Sequence, residues 1–271
     1  MAYFKLNLND NNIKNIQTIL NSIPQNITEF NLSWCLFSSD CDSILDKIIS
    51  KIPPQIIKLS LRSNQLGIKN PKQLGEALQK IPSNVIILDL SSNLLSNNEL
   101  FFLLKNIPPN IIHLDLSLNL LGDDTSLSSL KNIPPTIKKL NLCLNGWDDS
   151  SFAALSREEL KGCFDYLDTI YLNYDELVDR SPATIESIKH TFYNIPNIIL
   201  VDRLGHEMGG DSPLDRANIV RKLGLNTPVP TLLHQCAFFY NRTAARKEKE
   251  VISLNIPLEL KELLSIPPNF K

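Results

Sequence analysis

The dipeptide His206-Glu207 comes nearest to metal chemistry in this chain. A hydrolytic zinc centre on a helix needs a second histidine one helical turn later, with the glutamate as general base. Here Met208, Gly209 and Gly210 follow instead, which predicts a surface loop. The four histidines (His113, His190, His206, His234) show no ligand spacing. The five cysteines (Cys35, Cys41, Cys143, Cys163, Cys236) include no C-x-x-C pair. An odd number of cysteines without metal spacing predicts free thiols in a reducing compartment. Neither a glycine-rich phosphate loop nor a G-x-S-x-G turn is present. No catalytic residue, metal site or cofactor is expected, and the chain is expected to act by recognition.

The elements that would position a recognition surface are repeats. Residues 52–66 (IPPQIIKLSLRSNQL), 81–95 (IPSNVIILDLSSNLL), 107–121 (IPPNIIHLDLSLNLL) and 133–147 (IPPTIKKLNLCLNGW) share I-P-x-x-Φ-x-x-L-x-L-x-x-N-x-Φ. Weaker copies stand at 4–13, 23–37, 167–177 and 195–204. The asparagine position falls at Asn11, Cys35, Asn64, Asn93, Asn119, Asn145 and Asp175, in steps of 24, 29, 29, 26, 26 and 30. The L-x-L pair alternates, so both leucines leave a short strand on the same side. Asparagine suits the turn that follows, because its amide can pair with backbone groups left open there. Leu100, Leu103 and Leu104, like Ile44, Ile48 and Ile49, recur at helical spacing. Proline at each junction ends the helix and starts the next extended segment.

This pattern resembles the leucine-rich-repeat family in its longer, helix-containing form. The resemblance implies an α/β solenoid of about eight repeats over residues 1–205, with a curved parallel sheet and convex helices. One unit cannot bury its apolar face alone, so neighbours must stack. Eight strands would give a sheet about 35–40 Å long.

Residues that alternate with the buried leucines are expected to line the concave face. One column reads Asn7, Asn31, Ser60, Asp89, Asp115, Asn141 and Tyr171. A second reads Asp10, Trp34, Ser63, Ser92, Leu118, Leu144 and Tyr174, with His113, Lys139 and Thr169 beside it and Arg62 in the same region. Leu118, Leu144, Tyr171 and Tyr174 are expected to form an apolar patch with a polar border, the kind of surface that marks a protein contact. Trp34, Arg62, Asp89, His113, Asp115, Lys139 and Asn141 complete this predicted partner-binding face.

Composition agrees with a folded, non-nucleic-acid-binding protein. The 271 residues are 43% hydrophobic and the formal net charge is -2, so a core is available and a basic surface for phosphates is not. No apolar run approaches the roughly 20 residues that span a bilayer. The N-terminus enters repeat sequence at once, so no cleaved leader is expected.

Three further resemblances bear on function. Cys163-Phe164-Asp165 is similar to the C-x-D nucleophile of bacterial leucine-rich-repeat ubiquitin ligases. Cys163 is expected instead on a helix of the longest repeat, as a structural thiol. The segment after the repeats divides into 206–225, a linker and capping helix closed by Gly224, and 226–271. The latter reads either as a helical cap or as similar to a SOCS box, which recruits elongins B and C and a cullin. Thr231, Leu232, Cys236 and Tyr240 match the first helix of that module, with Tyr240 in place of an aliphatic residue. Leu254, Ile256, Pro257, Leu260, Leu263 and Leu264 match its second part, with Asn255 and Leu263 as departures. Finally, the Asn- and Ile-rich repeats with recurrent I-P-P resemble the leucine-rich-repeat effectors of Legionella-type bacteria. That likeness implies export by an uncleaved signal into a host cytoplasm, and a host protein as partner; otherwise the chain is cytoplasmic.

Overall fold

Each repeat contributes a strand of three to five residues, and the strands stack in chain order. The computed structural model describes residues 3–5, 16–35, 41–123, 127–209 and 213–225. Among them is one parallel eight-stranded sheet in the order β1 to β8: β1 (Tyr3–Lys5), β2 (Glu29–Asn31), β3 (Lys58–Ser60), β4 (Ile87–Asp89), β5 (His113–Asp115), β6 (Lys139–Asn141), β7 (Thr169–Asn173) and β8 (Asn197–Val201). Phe30, Leu59, Leu88, Leu114, Leu140, Ile170 and Ile198 lie in register. They and the second leucines (Leu32, Leu61, Leu90, Leu116, Leu142, Leu172, Leu200) are buried, as period-two alternation requires. The first repeat corrects one expectation. Phe4 pairs with Phe30 and stacks on its ring at 6.0 Å, so Lys5, not Asn7, stands beside Asn31.

The return segments carry α1 (Ile16–Asn21), α2 (Cys41–Ile49), α3 (Pro71–Leu78), α4 (Asn97–Lys105), α5 (Asp149–Leu155), the single turn α6 (Tyr174–Leu177), and α7 (Pro182–Thr191). Ile48 and Ile49 of α2 and Leu100, Leu103 and Leu104 of α4 are buried. Between β5 and β6 the described residues form 3-10 turns at Leu121–Asp123 and Ser128–Asn132. Gly, Asp, Thr and Ser crowd that segment, and all are weak helix formers. Cys163 likewise lies on turns that follow the 3-10 helix Glu158–Leu160, not on a helix. The carbonyls of Pro24, Pro53, Pro82, Pro108 and Pro134 accept the N–H three residues on, at 3.0–3.1 Å, which fixes the I-P-x-x-Φ spacing as a turn.

Asparagines join the repeats. Asn93 Oδ1 accepts the N–H of Asn64 (2.7 Å) and Leu66 (3.4 Å), while its Nδ2 donates to the carbonyls of Leu61 (3.0 Å) and Leu90 (2.9 Å). Asn119 serves Asn93, Leu95, Leu90 and Leu116 in the same way. Cys35 takes the position with its thiol donating to Ser33 O. In the seventh repeat the expectation at Asp175 is corrected, because Asp175 is exposed and Glu176 fills the slot. Glu176 accepts from the backbone of Leu144 (2.7 Å), Gly146 (2.8 Å) and Trp147 (3.2 Å). A carboxylate cannot donate, and Trp147 Nε1 supplies the missing donor to Leu142 O at 2.7 Å. The turn α6, capped by Asn173, carries the longer side chain into place.

After β8 the chain folds back. Val201 and Glu207 form an antiparallel bridge, Met208 N–H donates to Leu200 O, and Asp202 accepts the N–H groups of Leu204 and His206. Helix α8 (Pro213–Lys222) then ends at Gly224, with φ +78°, where Leu225 N–H meets Val220 O and Gly224 N–H meets Arg221 O. These two bonds are a Schellman ending. Val220 and Leu225 are buried. The candidate tail residues Leu232, Cys236, Tyr240, Leu254, Ile256, Pro257, Leu260 and Leu263 lie outside the described residues, as do Asn7, Asp10 and Asn11.

Candidate functional site

The first predicted column forms the floor of the concave face, and its side chains have work within the fold. Asn31, Ser60, Asp89, Asp115 and Asn141 each accept the N–H two residues on, from Ser33 (2.8 Å), Arg62 (3.5 Å), Ser91 (3.0 Å), Ser117 (2.9 Å) and Cys143 (3.0 Å). They also bond along the column: Ser60 Oγ donates to Asp89 Oδ2 (2.8 Å), and Asn141 Nδ2 donates to Asp115 Oδ2 (3.1 Å). The short polar types at these positions are therefore required as local caps for backbone N–H groups. Burial pushes the Asp115 carboxyl up, against the hydrogen bonds from Ser117 and Asn141. Burial holds His113 below its ordinary value, so its imidazole is neutral near pH 7. The His113 ring stacks on Tyr171 with centroids 6.2 Å apart and planes 8° from parallel. Lys139 and Arg62 stand exposed on this face, and Arg62 Nη1 donates to Ser91 Oγ at 3.2 Å.

The second column departs from regular strand geometry. Trp34, Ser63, Ser92, Leu118 and Leu144 have φ of 62°, 56°, 56°, 56° and 56°. They lie three residues beyond the first column, an odd spacing that a regular strand would point to the opposite face. The left-handed backbone places them at the lip, where the sheet passes into its turns, and there Ser63 is buried and Ser92 half-buried. Trp34 and Leu118 are exposed there and Leu144 is half-buried. Tyr174 does not join them: it opens α6 and packs against the core. Leu118 and Leu144 occupy adjacent repeats, with Leu118 N–H donating to Cys143 O at 2.9 Å. Tyr171 sits on the floor with His113.

The remaining chemical candidates also have places. Cys163 is half-buried, and burial together with Asp165 pushes its thiol up to about 12, away from the thiolate a nucleophile needs. His206 lies on the hairpin beside Asp202, with Nδ1 3.3 Å from the carboxylate. No group of three or more metal-ligating side chains occurs among the described residues, and none of their helices is long and apolar enough to cross a membrane.

No protein-family model matches the sequence, and no curated protein matches it. Among solved structures, the crystal structure of the leucine-rich repeat-containing protein LegL7 from Legionella pneumophila is 34% identical. The alignment covers 86% of this chain and 75% of that one, with a TM-score of 0.71. The chain belongs to the leucine-rich-repeat proteins. As a leucine-rich-repeat protein it is a protein-binding repeat module.

Sequence reasoning missed a second line of amides on this leucine-rich-repeat protein. Gln55, Asn84 and Asn110, just before the strands, donate to carbonyls of the preceding repeat: Gln55 to Pro24, Asn84 to Ile56 and Asn110 to Val85. The signal was present in I-P-P-Q, I-P-S-N and I-P-P-N, and it breaks at Thr136. The D-L-S and N-L-S triplets likewise signalled that the concave polar column caps its own backbone.

Proposed function

We propose that this protein is a non-catalytic binding module, a bacterial effector that engages a host protein across the concave face of its sheet. The observation that carries the reading is the exposed face around the His113–Tyr171 stack, where Lys139 and Arg62 are free of the core and a partner can reach aromatic and cationic groups together. The likeness to a Legionella pneumophila protein supports the bacterial origin. The test is capture from host-cell lysate with the full chain and its Tyr171→Asp variant. A host protein retained by the wild type and lost by a folded Tyr171→Asp supports the reading. Identical capture by both refutes the concave face as the site. Repeating the capture without residues 226–271 separates binding by the solenoid from recruitment by the tail.

A further inference from the structure

Leucine has no structural reason to occupy the lip. Leu94 and Leu118 have φ of 59° and 56° and are 46% and 39% exposed. In that left-handed region Cβ crowds the following carbonyl, and exposure returns little burial for it. The fold accepts other residues at both positions. Ser63 and Ser92 match Leu118 with the same φ of 56°, while Gln65 and Gly146 match Leu94 with φ of 54° and 75°. Exposed leucines on an unfavourable backbone are what a partner-binding edge would keep.

Backbone contacts place these residues in successive repeats. Gly67 N–H donates to Asn93 O at 2.8 Å, and an added Cβ there would lie 2.0 Å from Leu94 O, so the exposed Ile68 adjoins Leu94. Leu120, also exposed, donates its N–H to Leu95 O at 2.9 Å. Leu118 leads on to Leu144. Ile68, Leu94, Leu118, Leu120 and Leu144 therefore cross four repeats, about 14 Å at one strand spacing per step. That length matches about nine or ten residues of helix.

Charge decides the rest of the occupant. Beyond Leu144 the chain carries the exposed carboxylates of Asp148 and Asp179, whereas Asp149 accepts the Thr184 hydroxyl. The N–H of Ser151 and the hydroxyl of Ser150 hold Asp148 low, so it is anionic at neutral pH. The nearby cations are engaged: Arg203 pairs with Asp175, and Arg180 donates to the carbonyls of Glu176 and Trp147. We propose that this lip docks an amphipathic, cationic helix of a partner protein, with its apolar side on the leucine row and its basic end over Asp148 and Asp179. This rests on the protein-binding reading but moves the main contact from the floor to the lip. An anionic bilayer would meet the same carboxylates and be repelled.

The test uses the full chain and two synthetic helical peptides with one leucine face, one carrying lysines on its polar side and the other glutamates, with binding followed by fluorescence anisotropy. The lysine peptide is expected to bind at least tenfold more tightly than the glutamate peptide. Leu94→Gln with Leu118→Ser, residues taken from the neighbouring repeats, is expected to weaken it at least tenfold without lowering the melting temperature. Asp148→Asn is expected to weaken the lysine peptide alone. Equal binding of the two peptides, or unchanged binding by the double variant, overturns the proposal. If Tyr171→Asp abolishes binding while the double variant keeps it, the lip fails and the concave-face reading stands. Binding to vesicles containing anionic lipid, with neither peptide bound, also overturns it.

Discussion

The carboxylate of Glu176 accepts the backbone N–H of Gly146 at 2.8 Å, across a full repeat. The same carboxylate takes the N–H groups of Leu144 and Trp147. Glu176→Ala strands these donors in a half-buried turn. The expected loss is about 2–4 kcal/mol of unfolding free energy, since a buried donor left open costs about 1–3 kcal/mol. Glu176→Gln keeps one acceptor oxygen and is expected to lose less. Urea denaturation of the wild type and both variants gives the order directly, and an unchanged midpoint for Glu176→Ala would show that the junction does not depend on this side chain.

How far the sequence could be read depended on whether residue type alone carried the information. The buried leucines were legible because alternation between apolar and polar residues is itself the signal. The register of β1 was not, since a slip of two residues from Leu6 to Phe4 leaves the same face buried. The asparagine slot in the seventh repeat was missed by one residue, because spacing favoured Asp175 and only the turn at α6 brings Glu176 into reach. The backbone of the lip was not legible for a different reason. Tryptophan, serine and leucine share φ near 60° at Trp34, Ser63 and Leu118, and none of those residue types announces a left-handed backbone. The polar types of the concave column answer first to the N–H groups they cap.

Thr136 occupies the place held by Asn84 and Asn110 in the two preceding repeats, and its buried hydroxyl has no hydrogen-bond partner. Those two amides donate to carbonyls one repeat earlier, so an amide at 136 would reach the carbonyls of Ile111 and Pro108. Thr136→Asn is expected to stabilise the protein by about 1 kcal/mol, the usual net value of one added hydrogen bond. Thermal or urea unfolding measures it. A lower melting temperature for the variant would mean that the line of amides cannot be continued there.

His113 gives the concave face a pH dependence. Burial lowers its value from the ordinary 6.5, with Asp115 and Asp89 opposing and Lys139 and Lys58 reinforcing. Above pH 6.5 the ring is neutral in both folded and unfolded chains and contributes no slope. As pH falls through 6.5 the unfolded chain takes up the proton first, so stability declines until the folded value is also passed. His113→Asn removes that decline, although it loses the Tyr171 stack at every pH. The drop in melting temperature from pH 7.5 to 5.5 is expected to be smaller in the variant, and equal drops would show that this histidine does not supply the slope.

Close approach between repeats can be tested at three glycines. A Cβ at Gly67 would lie 2.0 Å from Leu94 O, and one at Gly122 would lie 2.4 Å from Gly146 O. Both neighbours are backbone of the next repeat, so alanine at either position forces the repeats apart, at a cost of about 1–3 kcal/mol. At Gly75 the nearest atom is the side-chain nitrogen of Asn106, at 2.6 Å, a side-chain group that can shift at the cost of its hydrogen bond to Phe102 O. Gly75 also lies inside α3, where alanine gains up to about 1 kcal/mol of helix propensity. Gly67→Ala and Gly122→Ala are therefore expected to lower the melting temperature by several degrees, and Gly75→Ala to leave it nearly unchanged. Equal losses at all three positions would mean that it is crowding in general that limits these sites, whether the atom in the way belongs to backbone or to side chain.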